Sequence, residues 1–353
     1  MEIKILTTGG LDPDDGPLII IVDNLNYPYS TDPLTGFIIS TQSSDGVDIE
    51  QCSDAEIETE VAGTMTGASM SVSSDTVNDT GVTYTFFANA VNQIPDGASL
   101  WIDYSGSDAT HTTTNVCNTD LLVSGNTKMS EAPAGGCTVA TATGIVKYDK
   151  IWVADDSTGT IDIEISGWTN PPSSATQTFT ILIYDVDDTY VIDSVSVTYE
   201  FSPVVLVVKT FEPGDGDYGV NSVPDYYDVW IKIQADIESD YQIRITFPVD
   251  YYYFDEDTSG CDAENFDIGE ADDCTISITT DEDSDDNEFQ SEITILIEGF
   301  TTTDDTANTN YKFTLSDVRN PFIRFEQIET LMFEILDADD NAVQLGYFTV
   351  GKF

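Results

Sequence analysis

Residues Ile161–Tyr184 read IDIEISGWTNPPSSATQTFTILIY. Ile161, Ile163 and Ile165 alternate with polar residues, the period of a half-buried strand. A Gly–Trp pair follows, then an Asn-Pro-Pro corner at Asn170–Pro172, where a chain with two prolines must leave the sheet. Phe179, Ile181 and Ile183 then restart the alternation as a second strand. The figure recurs at Leu18–Thr41 and at Tyr311–Leu336. A figure that returns at a fixed spacing marks repeated structural units.

Working outward, Pro28 falls on Pro171 at a spacing of 143 positions (171 − 28). In the same register Leu18, Ile20 and Val22 fall on Ile161, Ile163 and Ile165, and Tyr84 falls on Tyr227. Leu100, Ile102 and Tyr104 fall on Ile243, Ile245 and Phe247. Few residues are identical; what repeats is the apolar pattern. The third copy is shifted, with Asn170-Pro171 matching Asn320-Pro321 at 150 (320 − 170), and the acidic loop Asp281–Glu288 supplies part of the added length. The expected organisation is a partial module at 1–57, equivalent to the second half of a repeat, and β-sandwich modules at 58–200 and 201–353. Half a sandwich cannot bury its inner faces. The first piece is therefore expected to be completed by upstream modules or by strands from another subunit.

Segments such as VTYTFFANAV (Val82–Val91), YDVWIKIQA (Tyr227–Ala235) and YQIRITFPV (Tyr241–Val249) alternate apolar with polar and are rich in β-branched and aromatic residues. Turn signals such as IPDGAS at Ile94–Ser99 separate them, and no stretch makes a convincing amphipathic helix. Seven or so strands per module predict an all-β fold: tandem immunoglobulin-like β-sandwich modules in an elongated array.

The 353 residues include 65 acidic and 11 basic ones, a formal net charge of −54, with 40% hydrophobic and 11% aromatic content. Such hydrophobicity belongs to a folded chain. Such charge repels nucleic acid and anionic membranes, attracts cations and keeps a long assembly soluble. No apolar run reaches membrane-spanning length.

The five cysteines fall in a pattern. Cys117 and Cys137 lie in one module and Cys261 and Cys274 in the next; Cys117 maps onto Cys261, and CTVATAT after Cys137 matches CTISITT after Cys274. A repeated pair predicts disulfides Cys117–Cys137 and Cys261–Cys274, each contributing about 3 kcal/mol by the chain-entropy argument. Cys52 is left over, its partner in sequence not shown or in another subunit. The single histidine, His111, sits in the polar stretch DATHTTT without a nucleophile partner, so no catalytic site is expected.

Alternating aspartates could donate oxygens to calcium. The candidates are Asp215 and Asp217 in EPGDGDYG, Asp185 and Asp187 in DVDD, and Asp337 and Asp339 in DADDN; the alternative is plain acidic turns. Asn78-Asp79-Thr80 is an N-glycosylation sequon, making Asn78 the expected glycan acceptor. The aromatic runs Tyr226-Tyr227 and Tyr251–Phe254 read as core or junction residues.

The recurring frame resembles the repeats of large extracellular surface proteins of ciliates and related protists. It consists of a Tyr/Phe-rich strand, IPDGASLWIDY at Ile94–Tyr104, a two-cysteine loop and ISGWTNPPSS at Ile165–Ser174; YQIRITFPV matches the corresponding Ile-x-Ile-x-Phe-Pro strand. The resemblance covers most of both full modules and implies extracellular, cell-surface repeat arrays, often glycosylated. The extreme acidity and divergent last module depart from it. The expected function is that of a structural subunit of an extracellular filament, glycocalyx or cell coat, a head-to-tail homopolymer joined through sandwich ends. The alternative is a cell-surface adhesin or receptor ectodomain that binds protein or glycan. A third reading, a halophile surface-layer protein, suits the charge but not the paired cysteines.

Overall fold

The structure is a computed structural model; it describes residues 34–43, 45–57, 61–111, 121–157, 159–214, 216, 219, 222, 224–235, 241–247, 273–282, 288–298, 310–316 and 329–350. Every regular element among them is a strand. Tandem immunoglobulin-like β-sandwiches account for most of these strands, and each has its own core. Among the described residues no helix is long and apolar enough to cross a membrane.

The chain first forms a hairpin of β1 (Leu34–Gln42) and β2 (Asp48–Ile57), a separate two-stranded sheet. The first sandwich follows. It comprises β3 (Gly63–Thr64), β4 (Thr66–Val72), β5 (Thr80–Asn89), β6 (Ser99–Gly106), β7 (Thr110–His111), β8 (Leu121–Val123), β9 (Gly136–Ala140), β10 (Ile145–Asp149), β11 (Thr160–Thr169), β12 (Gln177–Tyr184) and β13 (Val191–Tyr199). One sheet runs β3-β13-β12-β6-β10-β9; the other runs β4-β5-β11-β7, with β8 also on β11. The second sandwich comprises β14 (Val204–Val205), β15 (Val207–Pro213), β16 (Tyr226–Lys232), β17 (Gln242–Phe247), β18 (Asp273–Glu282), β19 (Glu288–Glu298), β20 (Asn310–Ser316), β21 (Glu329–Leu336) and β22 (Ala342–Val350). Its sheets run β14-β22-β21-β17-β19-β18 and β15-β16-β20.

Period-two patterning builds each sandwich. On β5, Val82, Tyr84, Phe86 and Ala88 point inward; on β11, Ile161, Ile163 and Ile165 do so, and on β12, Phe179, Ile181 and Ile183. The two inner faces meet at Phe86–Phe179, with ring centroids 5.9 Å apart, and at Tyr84–Phe179, 5.8 Å apart. Strict alternation would turn Trp168 outward, yet it is fully buried. The register of β11 against β5 shifts between Ile165 and Trp168, and Gly167 there has φ +89°. This bulge adds one residue and changes which face the strand presents. Trp168 then stacks on Tyr84 at 4.7 Å.

The internal repeat is visible in the pairing itself. Tyr84 lies opposite Ile165, and Tyr227 opposite Leu315. Ile102 lies opposite Ile181, and Ile245 opposite Phe333. All eight side chains are buried. Cys137 and Cys274 each occupy the second position of the corresponding edge strands β9 and β18. The cores divide a few residues later than the sequence reading placed the boundary: Phe201 closes the first core and Leu206 opens the second.

Candidate functional site: the junction between modules

Asn170 organises the end of the first sandwich that faces the second. Its side chain is buried, where an amide must satisfy both donors and its acceptor. Nδ2 donates to the carbonyls of Ser74 (3.0 Å) and Thr76 (2.6 Å), and Oδ1 accepts from the Tyr84 hydroxyl at 2.9 Å. Burial pushes the Tyr84 phenol well above its ordinary range, so it stays a proton donor. The Asn170 amide donates to the Asp79 carbonyl, and the Asn78 amide to the Pro171 carbonyl. The prolines donate no backbone N–H but leave carbonyls for the neighbouring loop. The corner and the loop at Ser73–Asp79 thus form one unit.

That unit holds the chain as it leaves. The Ser202 amide donates to the Asp75 carbonyl at 2.7 Å and its hydroxyl to Asp75 Oδ2 at 2.9 Å; the Val77 amide donates to the Ser202 carbonyl at 3.0 Å. Phe201 is buried in the first core with Val204 packed against it, and Leu206 is buried in the second. The Leu206 amide donates to the Leu345 carbonyl at 2.8 Å, just as the Met65 amide donates to the Ser194 carbonyl at the start of the first sandwich. The crossing therefore has no free linker.

Two further bonds tie the corner to the next module. The Ser174 amide donates to the Ala342 carbonyl at 2.8 Å, and the Ser173 hydroxyl donates to Asp337. Ser173 is buried. Asp337 opens the β21–β22 turn, where its carboxylate also accepts from the Asp339 amide (3.0 Å) and the Asn341 amide (2.8 Å). Partial burial works against its charge, but the bonds from Ser173, Asn341 and Asp339 outweigh burial and hold its carboxyl below the usual range.

The residues expected to matter from sequence separate here. The Asp185 carboxylate accepts from the Thr189 amide at 2.9 Å and the Tyr190 amide at 3.3 Å, the same turn chemistry as Asp337. Asp187 and Asp339 are exposed in these two turns. Among the described residues no group of three potential metal ligands comes together. Asp215 and Asp217 lie outside the described residues. Asn78 is exposed with φ +62°, and its Nδ2 lies 3.4 Å from the Pro172 carbonyl. Cys137 is disulfide-bonded. Cys117 and Cys261 lie outside the described residues, as does the aromatic run Tyr251–Phe254; Cys52 is exposed with a free thiol.

Two readings are corrected. His111 is not in an open polar loop: it is buried, with Nε2 3.0 Å from the Ser166 carbonyl and its ring edge-on to Trp168. Of Tyr226-Tyr227, only Tyr227 is core; alternation along β16 turns Tyr226 and Trp230 outward. Ser173, Ser174 and Ser202 were missed. Their partners are remote in sequence, and a serine beside a proline corner carries no signal of one.

No family model matches this chain, and no curated protein matches it. Among solved structures, the C-terminal domain of the Streptococcus pyogenes antigen I/II-family protein AspA is similar at 12% identity. That match covers 90% of this chain and 99% of that chain, with a TM-score of 0.26. The C-terminal domain of the Streptococcus agalactiae antigen I/II polypeptide BspA is similar at 10% identity, covering 90% of this chain and 100% of that one, with a TM-score of 0.23. Red sea bream transglutaminase is similar at 8% identity over 81% of this chain and 31% of its own, with a TM-score of 0.28. Superpositions this loose carry no functional argument.

Proposed function

We propose that the chain is a structural subunit of an extracellular filament, glycocalyx or cell coat, assembled from β-sandwich modules set end to end. The observation that supports this most directly is the crossing from Phe201 to Leu206, in which consecutive cores are joined without a free linker. Relative motion of sandwiches needs slack between them, and here the connecting residues are bonded on both sides. Identical subunits repeating such a contact head to tail form an open polymer rather than a closed ring. In this reading Cys117–Cys137 and Cys261–Cys274 are covalent staples, Asn78 carries a glycan at the corner, and the acidic surface keeps the polymer dispersed. The resemblance to ciliate surface repeats points to the same setting.

The test is electron microscopy of the native material with and without a calcium chelator. Long filaments with a regular axial repeat support the reading, and their loss on chelation assigns calcium to the aspartate-rich segments. Isolated particles in both conditions overturn it. The second reading, an adhesin or receptor ectodomain, is favoured by one feature: Tyr226 and Trp230 project from the outer face of β16 at 37% and 41% exposure. Exposed aromatic rings on the outer face of a sheet suit stacking on sugars. Glycan binding lost on Trp230→Ala, by a chain that stays monomeric, would establish that alternative.

A further inference from the structure

The outer face of the β15-β16-β20 sheet differs from the matching face of the first sandwich. Alternation along β16 places Tyr226, Asp228 and Trp230 on this face, and the two aromatic side chains are exposed. On β20, Lys312 lies opposite Trp230, and Thr314 lies opposite Asp228. The Lys312 ammonium sits 5.6 Å from the centre of the Trp230 ring and 3.0 Å from Asp228 Oδ1. In the first sandwich the same rows pair Phe87 with Asp162 and Thr85 with Glu164, and Thr83 stands where Tyr226 does. The repeat therefore forms its sheet without this aromatic pair and without the lysine–aspartate pair between its rings.

We propose that this face is a platform for a neutral oligosaccharide running along β16, with sugar rings stacked on Tyr226 and Trp230 and hydroxyls bonded to Asp228 and Lys312. Size and charge select that occupant. Tyr226 and Trp230 are four residues apart on one strand, about 13 Å, which is longer than one sugar ring and calls for a short chain of them. Three strands with the 7 residues of β16 present on the order of 300 Å². A stable protein partner needs about 800 Å² on each side. A second copy would also bring its own charge of −54 against the first. An anionic glycan meets the same repulsion, and Asp228 already neutralises the lysine beside the rings. What the pair offers is an acceptor next to a donor, which is what a sugar hydroxyl uses. The ammonium over Trp230 restrains its ring in advance, which lowers the ordering cost of binding. The proposal rests on the glycan-binding alternative given above, and adds the face, the sugar's charge and the groups that hold it.

The test titrates the full chain by calorimetry with cellohexaose, chitohexaose, laminarihexaose and mannohexaose, and with an oligogalacturonate as the anionic counterpart. Binding of a neutral hexasaccharide that weakens about tenfold in both Trp230→Ala and Tyr226→Ala supports the proposal. Trp230→Phe keeps a stacking face and should recover most of the affinity, which a merely structural role of the indole would not predict. A second readout needs no variant to fold. Trp230 is the most exposed of the four tryptophans, so the bound sugar should reduce acrylamide quenching of its fluorescence. Binding that both alanine variants retain, with quenching unchanged, overturns the proposal while leaving the glycan-binding alternative standing, because the sugar then sits elsewhere. Binding of the oligogalacturonate alone overturns the neutral assignment. A dimer that Trp230→Ala abolishes overturns the proposal as well, since the occupant is then a second copy. No binding of any of these sugars overturns the proposal and the alternative together.

Discussion

Asn170 carries the side-chain bonds that hold the corner to the Ser73–Asp79 loop and to Tyr84. It is buried and fully bonded, so replacing it with alanine strands the Tyr84 hydroxyl and two loop carbonyls. We expect Asn170→Ala to destabilise the first module by about 3 kcal/mol and Tyr84→Phe by about 1–2 kcal/mol, measured by chemical denaturation. Asp337 gives a pH signature. Its carboxyl sits below the unfolded value of about 3.9, so its contribution is complete above that value and is lost as pH falls through the folded value. Asp337→Asn keeps an acceptor oxygen but loses the charge. Its deficit in second-module stability should be present at pH 7 and shrink as pH falls below about 3.9; a constant deficit would place the effect elsewhere. At this scale the sequence was only partly legible. DVDD and DADDN were read as candidate calcium ligands or plain acidic turns, and a short carboxylate that accepts amides a few residues on, as Asp185 and Asp337 do, belongs to both patterns. Nothing local distinguishes Asn170 in a corner from any Asn before proline.

The elements were easier to read than their ends. Alternation located β5, β11, β12, β16 and β17, because a strand with one buried face writes its period into the sequence. It failed where the period breaks. The Gly167 bulge reverses the facing of Trp168, and only Gly before a large aromatic hinted at it. The short strands β3 and β14 were invisible, since two residues carry no period. Yet β14 decides how the second module starts. A Cβ at Gly346 would lie 2.3 Å from the Leu206 carbonyl oxygen, which is backbone and cannot rotate away. Gly346→Ala should therefore displace the β14–β22 contact and destabilise the second module by about 2–4 kcal/mol. Trp230 is the one tryptophan of the four in that module, so its fluorescence separates the two transitions; Trp101, Trp152 and Trp168 should report an unchanged first module.

The whole molecule follows from the repeat, and a gapless apolar register was enough to infer tandem sandwiches. How one module meets the next was not legible, because Ser173 and Asp337 approach only once both modules have folded. The topology of those modules also bears on how the chain responds to being stretched. In each sandwich the strand where the chain arrives lies parallel to the strand from which it departs: β3 beside β13, and β14 beside β22. Pulling on the two ends then slides these neighbours past each other, so their hydrogen bonds and the Met65 and Leu206 bonds share the tension instead of opening one at a time. Single-molecule extension of the chain should show two separate high-force events, one per sandwich. Gly346→Ala should lower one of them and leave the other, because only one of the two clamps has been loosened.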